Sequence, residues 1–308
     1  MPEVRPFARP DRDGLATLVN RHVAAVLPGG AIPVATLLSQ LERDSAEPIV
    51  DPWVIDRRAI VGLEADRVVA AAYLKRFGHD ERVSDDYRDA GAIEWLVFDP
   101  RSRTTADAVL AKAFATLRSW SSRIWYADGN LPCLGVYGVP DHWPHVQDLL
   151  AEAGFSDADG QVEVVFAGQL GAVAPPGPAP VDGVELRRVV GPLGVSFEAM
   201  LNDERIGVFE VEDFHGTGNA ALARWADEAN HWVAEPHRGS GIGSWLFRSG
   251  CEWLRLGGKD RLLTYAIESR GGSYDQTEIR VRQCERYYGR FGLHPITRSR
   301  RGWQRPPD

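Results

Sequence analysis

The sequence predicts a mixed-sheet α/β (α+β) protein built from two tandem copies of one unit, the second abridged. Strand and helix signals alternate through the first half, and the later part of that order returns in the second. Between them lies a proline run, Ala172-Val173-Ala174-Pro175-Pro176-Gly177-Pro178-Ala179-Pro180. Proline at this density joins neither a helix nor a central strand, so the run reads as an extended linker. The expected organisation is a first domain over residues 1–170, a linker over 171–183 and a second domain over 184–308.

In the first half, Val4 to Phe7 reads as a strand, and Pro10-Asp11-Arg12-Asp13 opens a helix with Leu15, Leu18, Val19, His22 and Val23 on one face. A second helix is expected near Pro33 to Arg43. Ala59 to Leu63 and Val68 to Phe77 form a hairpin about Glu64-Ala65-Asp66-Arg67. Ala92 to Phe98 is an apolar strand, followed by a helix carrying Val109, Leu110, Ala113, Phe114 and Leu117. A strand (Arg123 to Ala127), a helix (Pro144 to Ala153) and a strand (Val162 to Phe166) complete this half.

The second half lacks a counterpart of the first two helices. Val184 to Val190 is a strand, and Ser196 to Leu201 with Ile206 to Val211 form a hairpin about Asn202-Asp203-Glu204-Arg205. A strand near Trp232-Val233-Ala234 leads into a glycine-rich turn, then a helix with Trp245, Leu246, Trp253 and Leu254. A strand from Arg261 to Ile267, a helix from Thr277 to Phe291 and strands at Pro295 to Arg298 and Gly302 to Arg305 follow.

Composition narrows the function classes. The chain has 308 residues, 44% hydrophobic and 25% charged, enough apolar material for two cores. A net charge of −8 argues against a nucleic-acid partner. No long apolar run or signal-peptide layout is present, so no membrane partner and a cytoplasmic location are expected. Three scattered cysteines without a CxxC pair support neither a disulfide framework nor a metal site. The 35 basic residues include only three lysines, a bias expected of a GC-rich bacterial genome. The expected state is a monomer or homodimer.

The segment that carries chemistry is Trp232-Val233-Ala234-Glu235-Pro236-His237-Arg238-Gly239-Ser240-Gly241-Ile242-Gly243-Ser244-Trp245. Its glycines remove side chains where an anion must approach the backbone. The free N–H groups of a first helical turn, with the positive end of the helix dipole, can hold a phosphate there. Arg238 adds a permanent positive charge. Ser244-Trp245 replaces the Lys-Ser of a nucleotide-triphosphate loop, and the motif lies too late in its unit for a dinucleotide fingerprint.

Arg238-Gly239-Ser240-Gly241-Ile242-Gly243 resembles the R-G-x-G-[IV]-G signature of the GCN5-related N-acetyltransferase (GNAT) superfamily. Cys284-Glu285-Arg286-Tyr287-Tyr288-Gly289-Arg290-Phe291-Gly292-Leu293 is similar to that superfamily's closing helix, with Tyr288 on its tyrosine and Gly292 on its glycine. Val281 stands where the superfamily has an asparagine, and Pro236 lies one place later than its usual proline. The resemblance covers residues 184–308. The first half resembles the same fold more faintly: Arg103-Thr104-Thr105-Ala106-Asp107-Ala108 lacks the glycines, and Leu150 replaces the tyrosine. It reads as a degenerate copy.

The resemblance implies transfer of an acetyl group from acetyl-CoA, as cosubstrate and without a metal, to the amine of a small molecule. It places the coenzyme on Val233, Arg238, Gly239, Ser240, Gly241, Ile242 and Gly243, with pantetheine paired to the strand edge at Val233. Tyr288 is the expected general acid, and Asp227 and Glu228 are the expected general-base candidates. Glu210, Glu212, Asp213, His231 and His237 are alternatives for the base. The competing readings are a non-catalytic acyl-CoA-binding module and a protein or peptide N-acetyltransferase.

Overall fold

The computed structural model describes residues 2–42, 52–133, 135–157, 162–213, 222–268 and 274–307. The chain divides into two compact units, the first comprising residues 1–163, 267–277 and 297–308, the second 164–266 and 278–296. Elements of the first half are β1 (Glu3–Pro6), α1 (Arg12–Val26), α2 (Val34–Leu41), β2 (Val54–Glu64), β3 (Arg67–Phe77), β4 (Gly91–Phe98), α3 (Arg103–Ser119), β5 (Trp125–Ala127), β6 (Val139–Pro140), α4 (Pro144–Glu152) and β7 (Ser156–Asp157). Then come β8 (Val162–Gln169), β9 (Glu185–Val190), β10 (Val195–Leu201), β11 (Glu204–Asp213), β12 (Trp225–Val233), α5 (Ile242–Leu256), β13 (Arg261–Glu268), α6 (Tyr274–Gly289), β14 (His294–Arg300) and β15 (Trp303–Arg305). Arg43, the expected end of the second helix, lies outside the described residues.

One sheet runs β1-β2-β3-β4-β5-β15-β7, the other β6-β14-β8-β13-β12-β11-β10-β9. The two corresponding hairpins turn in the same way. Ala65 and Asp66 have φ of 47° and 61°, Asn202 and Asp203 φ of 50° and 64°, the paired left-handed residues of a two-residue hairpin turn. In the first unit Leu15, Leu18, Val19, His22 and Val23 are all buried, as their helical spacing predicts. β3 is apolar along most of its length because α1 and α3 both pack against it. In the second unit β9 leads to β10 with no helix between, and most of β9 is exposed. Its core gathers Phe197, Phe209, Leu246, Phe247, Tyr288 and Phe291. α5 approaches β11 so closely that a Cβ on Gly250 would lie 2.3 Å from the Phe209 ring.

The structure departs from the sequence reading in three places. The strand expected at Trp232 begins at Trp225, so Asp227 and Glu228 sit inside β12 rather than before it. The strand expected to end at Arg298 continues through Arg300, and the chain reverses at Arg301-Gly302. Sheet membership also crosses the expected division: β8 lies in the second sheet between β13 and β14, and β15 lies in the first between β5 and β7. The expected linker is counted with the second unit. It starts as a 3₁₀ turn, Leu170–Ala172, with Leu170 and Val173 buried.

Candidate functional site

β12 is paired on both sides, to β11 antiparallel and to β13 parallel, but the parallel ladder spans only Trp225–Asp227 against Arg261–Leu263. Against β11 the register shifts between Glu210 and Val211, so Ala229 is an extra residue on β12. This bulge matters for chemistry. Residues three apart on a regular strand face opposite ways, and one inserted residue returns them to one side. Glu228 and His231 therefore meet, with His231 Nδ1 3.7 Å from Glu228 Oε1. Both are buried, the His231 side chain 10% and the Glu228 side chain 6% exposed.

After β12 the 3₁₀ turn Glu235–His237 leads into the glycine-rich turn. Gly239 (φ 79°) and Gly241 (φ 92°) both adopt left-handed backbone. Gly241 is the N-cap of α5, and no side chain caps the helix. The first-turn N–H groups of Ile242, Gly243 and Ser244 thus lack helical partners. Trp245 N–H bonds to Gly241 O at 3.0 Å, and its indole donates to Gly177 O at 3.1 Å, so the proline-rich segment lies against this end of α5. Arg238 Nε donates to Val233 O at 3.1 Å and Ser240 Oγ to His237 O at 2.6 Å. A Cβ on Gly243 would stand in ordinary contact with Val233, His231 and Tyr287, so sterics within the chain do not require glycine there.

These elements surround a cavity of about 500 Å³ whose lining includes Val233, Arg238, Gly241, Gly243, Tyr287 and Tyr288. His231 Nε2 is 3.3 Å from Gly243 O, which ties the β12 end of the cavity to the helix start. Tyr288, 6% exposed, donates its hydroxyl to Glu228 Oε1 at 2.6 Å. Burial first, and the Glu228 carboxylate second, push the Tyr288 phenol well above its ordinary range. The other oxygen, Glu228 Oε2, is buried and accepts no hydrogen bond among the described residues. Tyr287 presents its hydroxyl over the first turn of α5 beside Ser244, and burial raises that phenol too.

The structure thus brings Tyr288, Val233 and the 238–243 turn except Ser240 to one cavity, and Glu228, which does not line it, is joined to it through the Tyr288 hydroxyl. Asp227 goes elsewhere: it is buried and accepts from the Tyr265 hydroxyl on β13 at 2.9 Å. Glu210 is 2% exposed and accepts from Asn230 and from the backbone of Leu193 and Gly194, which accounts for it structurally. The side chain of Asp213 lies outside the described residues. Val281, at the expected asparagine position, is buried. His231 and Tyr287 are the lining residues the sequence reading left at the margin.

The corresponding helix start of the first unit differs. Ser102, the N-cap of α3, and Thr105 donate hydroxyls to Glu64 at 3.0 and 2.5 Å. Arg103 pairs with Asp107 at 2.9 Å and Glu152 at 2.5 Å. The side chains of this helix start are thus bonded to the chain's own carboxylates. Among the described residues no group of histidine, cysteine and carboxylate side chains could hold a metal ion, and no helix is long and apolar enough to cross a membrane.

No family model matches the sequence, and no curated protein matches it. Solved structures do. A tandem GNAT protein from the clavulanic acid biosynthesis pathway aligns over 100% of this chain and 99% of its own, with TM-score 0.66 and 16% identity. A GCN5-related N-acetyltransferase from Sphaerobacter thermophilus aligns over 99% and 95%, with TM-score 0.62 and 13% identity. A GCN5-related glucosamine N-acetyltransferase region of a fungal β-N-acetylglucosaminidase aligns over 98% of this chain and 38% of that one, with TM-score 0.64 and 14% identity. The chain has the tandem GNAT fold.

Proposed function

We propose that the protein is an acyl-CoA-dependent N-acetyltransferase acting on the amine of a small molecule, with its active site in the second unit. The supporting observation is that Tyr288, buried and bonded to Glu228, lines the same cavity as the uncapped start of α5. The fit to coenzyme A is chemical. Three unpartnered N–H groups, a helix dipole and Arg238 suit a pyrophosphate, and the left-handed glycines keep side chains away from it. When bound, the coenzyme supplies the activated acyl group as a thioester.

The chain's own residues then handle protons. Glu228 Oε2, buried without a hydrogen bond, accepts the proton that the acceptor amine gives up on attack. Tyr288 donates its hydroxyl proton toward the departing sulfur. Glu228, already 2.6 Å from Tyr288, returns a proton to the phenolate, which leaves both residues as they began. The raised phenol pKa keeps Tyr288 protonated between turnovers. His231 Nδ1 lies 3.7 Å from the same Glu228 oxygen that accepts from Tyr288, and Asp227 accepts from Tyr265 and takes no part in the proton transfers.

The test is release of free thiol from acetyl-CoA across a panel of aminoglycosides, polyamines, amino acids and peptides. Thiol release with a small amine, lost in Glu228→Gln, supports the reading. Tight acetyl-CoA binding with no release for any acceptor would replace it with a binding module, and release with peptides alone with a protein acetyltransferase.

A further inference from the structure

The first unit has a cavity of its own, of about 460 Å³, whose lining includes no residue of α3. It opens across β5 and β15 and is lined by Asp86, Tyr87, Tyr126, Asp128, Asn130 and Arg301, among others. The Tyr87 and Tyr126 rings stand 5.0 Å apart, tilted by 43°. Tyr126 is fixed by its hydroxyl, which donates to Asp86 O at 2.8 Å, and Tyr87 by packing on Phe77. The wall is therefore rigid and aromatic on one side.

The charges on the other side do not balance. Arg301, the one cation among the described lining residues, is paired with Glu163 at 2.8 Å. Lys75, behind the wall, is committed to Glu94 at 2.8 Å. Asp86 is exposed at the mouth, and Asp128 stands within with no hydrogen bond to its carboxylate from any described residue. Two carboxylates thus face the cavity against one lining cation that is already paired, while Arg123 nearby donates to the backbone carbonyls of Asp85, Asp86 and Arg88.

We propose that this cavity is a binding site for an organic ammonium ion, seated between the Asp128 carboxylate and the faces of Tyr87 and Tyr126. A carboxylate and two tyrosine faces at this spacing attract a compact cation by charge and by the ring quadrupoles together. The described lining favours a cation over an anion, because Asp86 and Asp128 stand against a single arginine that is already paired with Glu163. The site is separate from the acyl-transfer cavity and does not depend on the second unit's activity.

The site also carries a pH dependence. Burial, then repulsion from Glu94, push the Asp128 carboxyl up to about 7, with Lys75 and Arg301 pulling the other way. The ionised form binds the cation, so affinity rises with pH. Between pH 6 and pH 8 the ionised fraction of such a group grows about tenfold, and affinity should follow.

Calorimetry on the full chain without acetyl-CoA tests this, with putrescine and tetramethylammonium as cations and acetate as the anion control. The expected result is saturable binding of a cation that strengthens about tenfold from pH 6 to pH 8. Asp128→Asn and Tyr87→Leu, each checked for an unchanged fold by near-ultraviolet circular dichroism, should weaken it at least ~10-fold, while Glu228→Gln leaves it intact. Binding of neither cation overturns the proposal. So does binding that survives in Asp128→Asn, binding lost instead in Glu228→Gln, which places the cation in the second unit, or a preference for acetate.

Discussion

Tyr288 and Glu228 lie 60 positions apart in sequence and 2.6 Å apart in space. The resemblance of the closing helix pointed to the tyrosine, yet nothing local identified its partner. Glu228 and His231 look opposed on a regular strand, and only the bulge at Ala229 turns them to one side. Asp227 was as good a candidate by composition, but its place on β12 sends it to Tyr265. If Tyr288 is the proton donor, Tyr288→Phe keeps the ring packed and should lower thiol release by about one to three orders of magnitude with little change in acetyl-CoA affinity. Tyr287→Phe should be milder. Equal turnover in wild type and Tyr288→Phe would return that residue to a packing role, and a larger loss in Tyr287→Phe would move the acid by one position.

Another residue-scale expectation concerns His22, which is 4% exposed. Its ring bonds to Leu18 O at 2.9 Å and to His145 at 3.2 Å. Burial, opposed by the Leu18 carbonyl and aided by His145 and Arg21, lowers its pKa from 6.5 to about 4. The unfolded chain therefore binds this proton more readily than the folded one. Stability is retained above about pH 6.5 and falls as pH drops toward 4, by on the order of 3 kcal/mol for this group alone. Urea unfolding at pH 7.5 and 4.5 should show the fall in wild type and a smaller one in His22→Gln. Equal falls in both would remove His22 as the cause.

At the scale of elements, the starts of α3 and α5 show one geometry put to two uses. α5 begins on a left-handed glycine with bare N–H groups, whereas α3 begins on Ser102 with Glu64 already against it. This contrast was largely legible, because glycine, proline and capping residues act locally. The hairpins about Ala65-Asp66 and Asn202-Asp203 were legible for the same reason. Gly241→Val forces a branched side chain into left-handed backbone with its Cβ 3.2 Å from Pro180. Acetyl-CoA affinity by calorimetry should fall at least ~10-fold, while Ser240→Ala, which loses only a bond back to His237 O, should change it little. An unaltered affinity in Gly241→Val would remove the pyrophosphate from this turn.

Across the whole molecule, the sheet partners of β8 and β15 were not legible. Both were found as strands, but pairing is decided by distant residues, and no local signal says which sheet a strand completes. β8 enters the second sheet and β15 the first, where Trp303 pairs with Ala127 and Asp157 and is 4% exposed. Trp303→Ala should cost about 3–5 kcal/mol, read from denaturant unfolding of the first unit by a probe placed there. A cost below about 1 kcal/mol would mean that β15 is dispensable to that sheet.

The position of β15 also bears on the order in which the protein is made. Domains ordinarily fold in turn as the chain emerges, the earlier one first. Here the first sheet waits for residues 303–305, which are synthesised after every strand of the second sheet. Until then β5 and β7 lack the strand that joins them, and the early half carries β8, whose neighbours β13 and β14 do not yet exist. The early half therefore cannot finish before the later one on the ribosome. The growing chain therefore passes through a stage with open strand edges, and a pause or truncation late in translation would leave the early half unfinished.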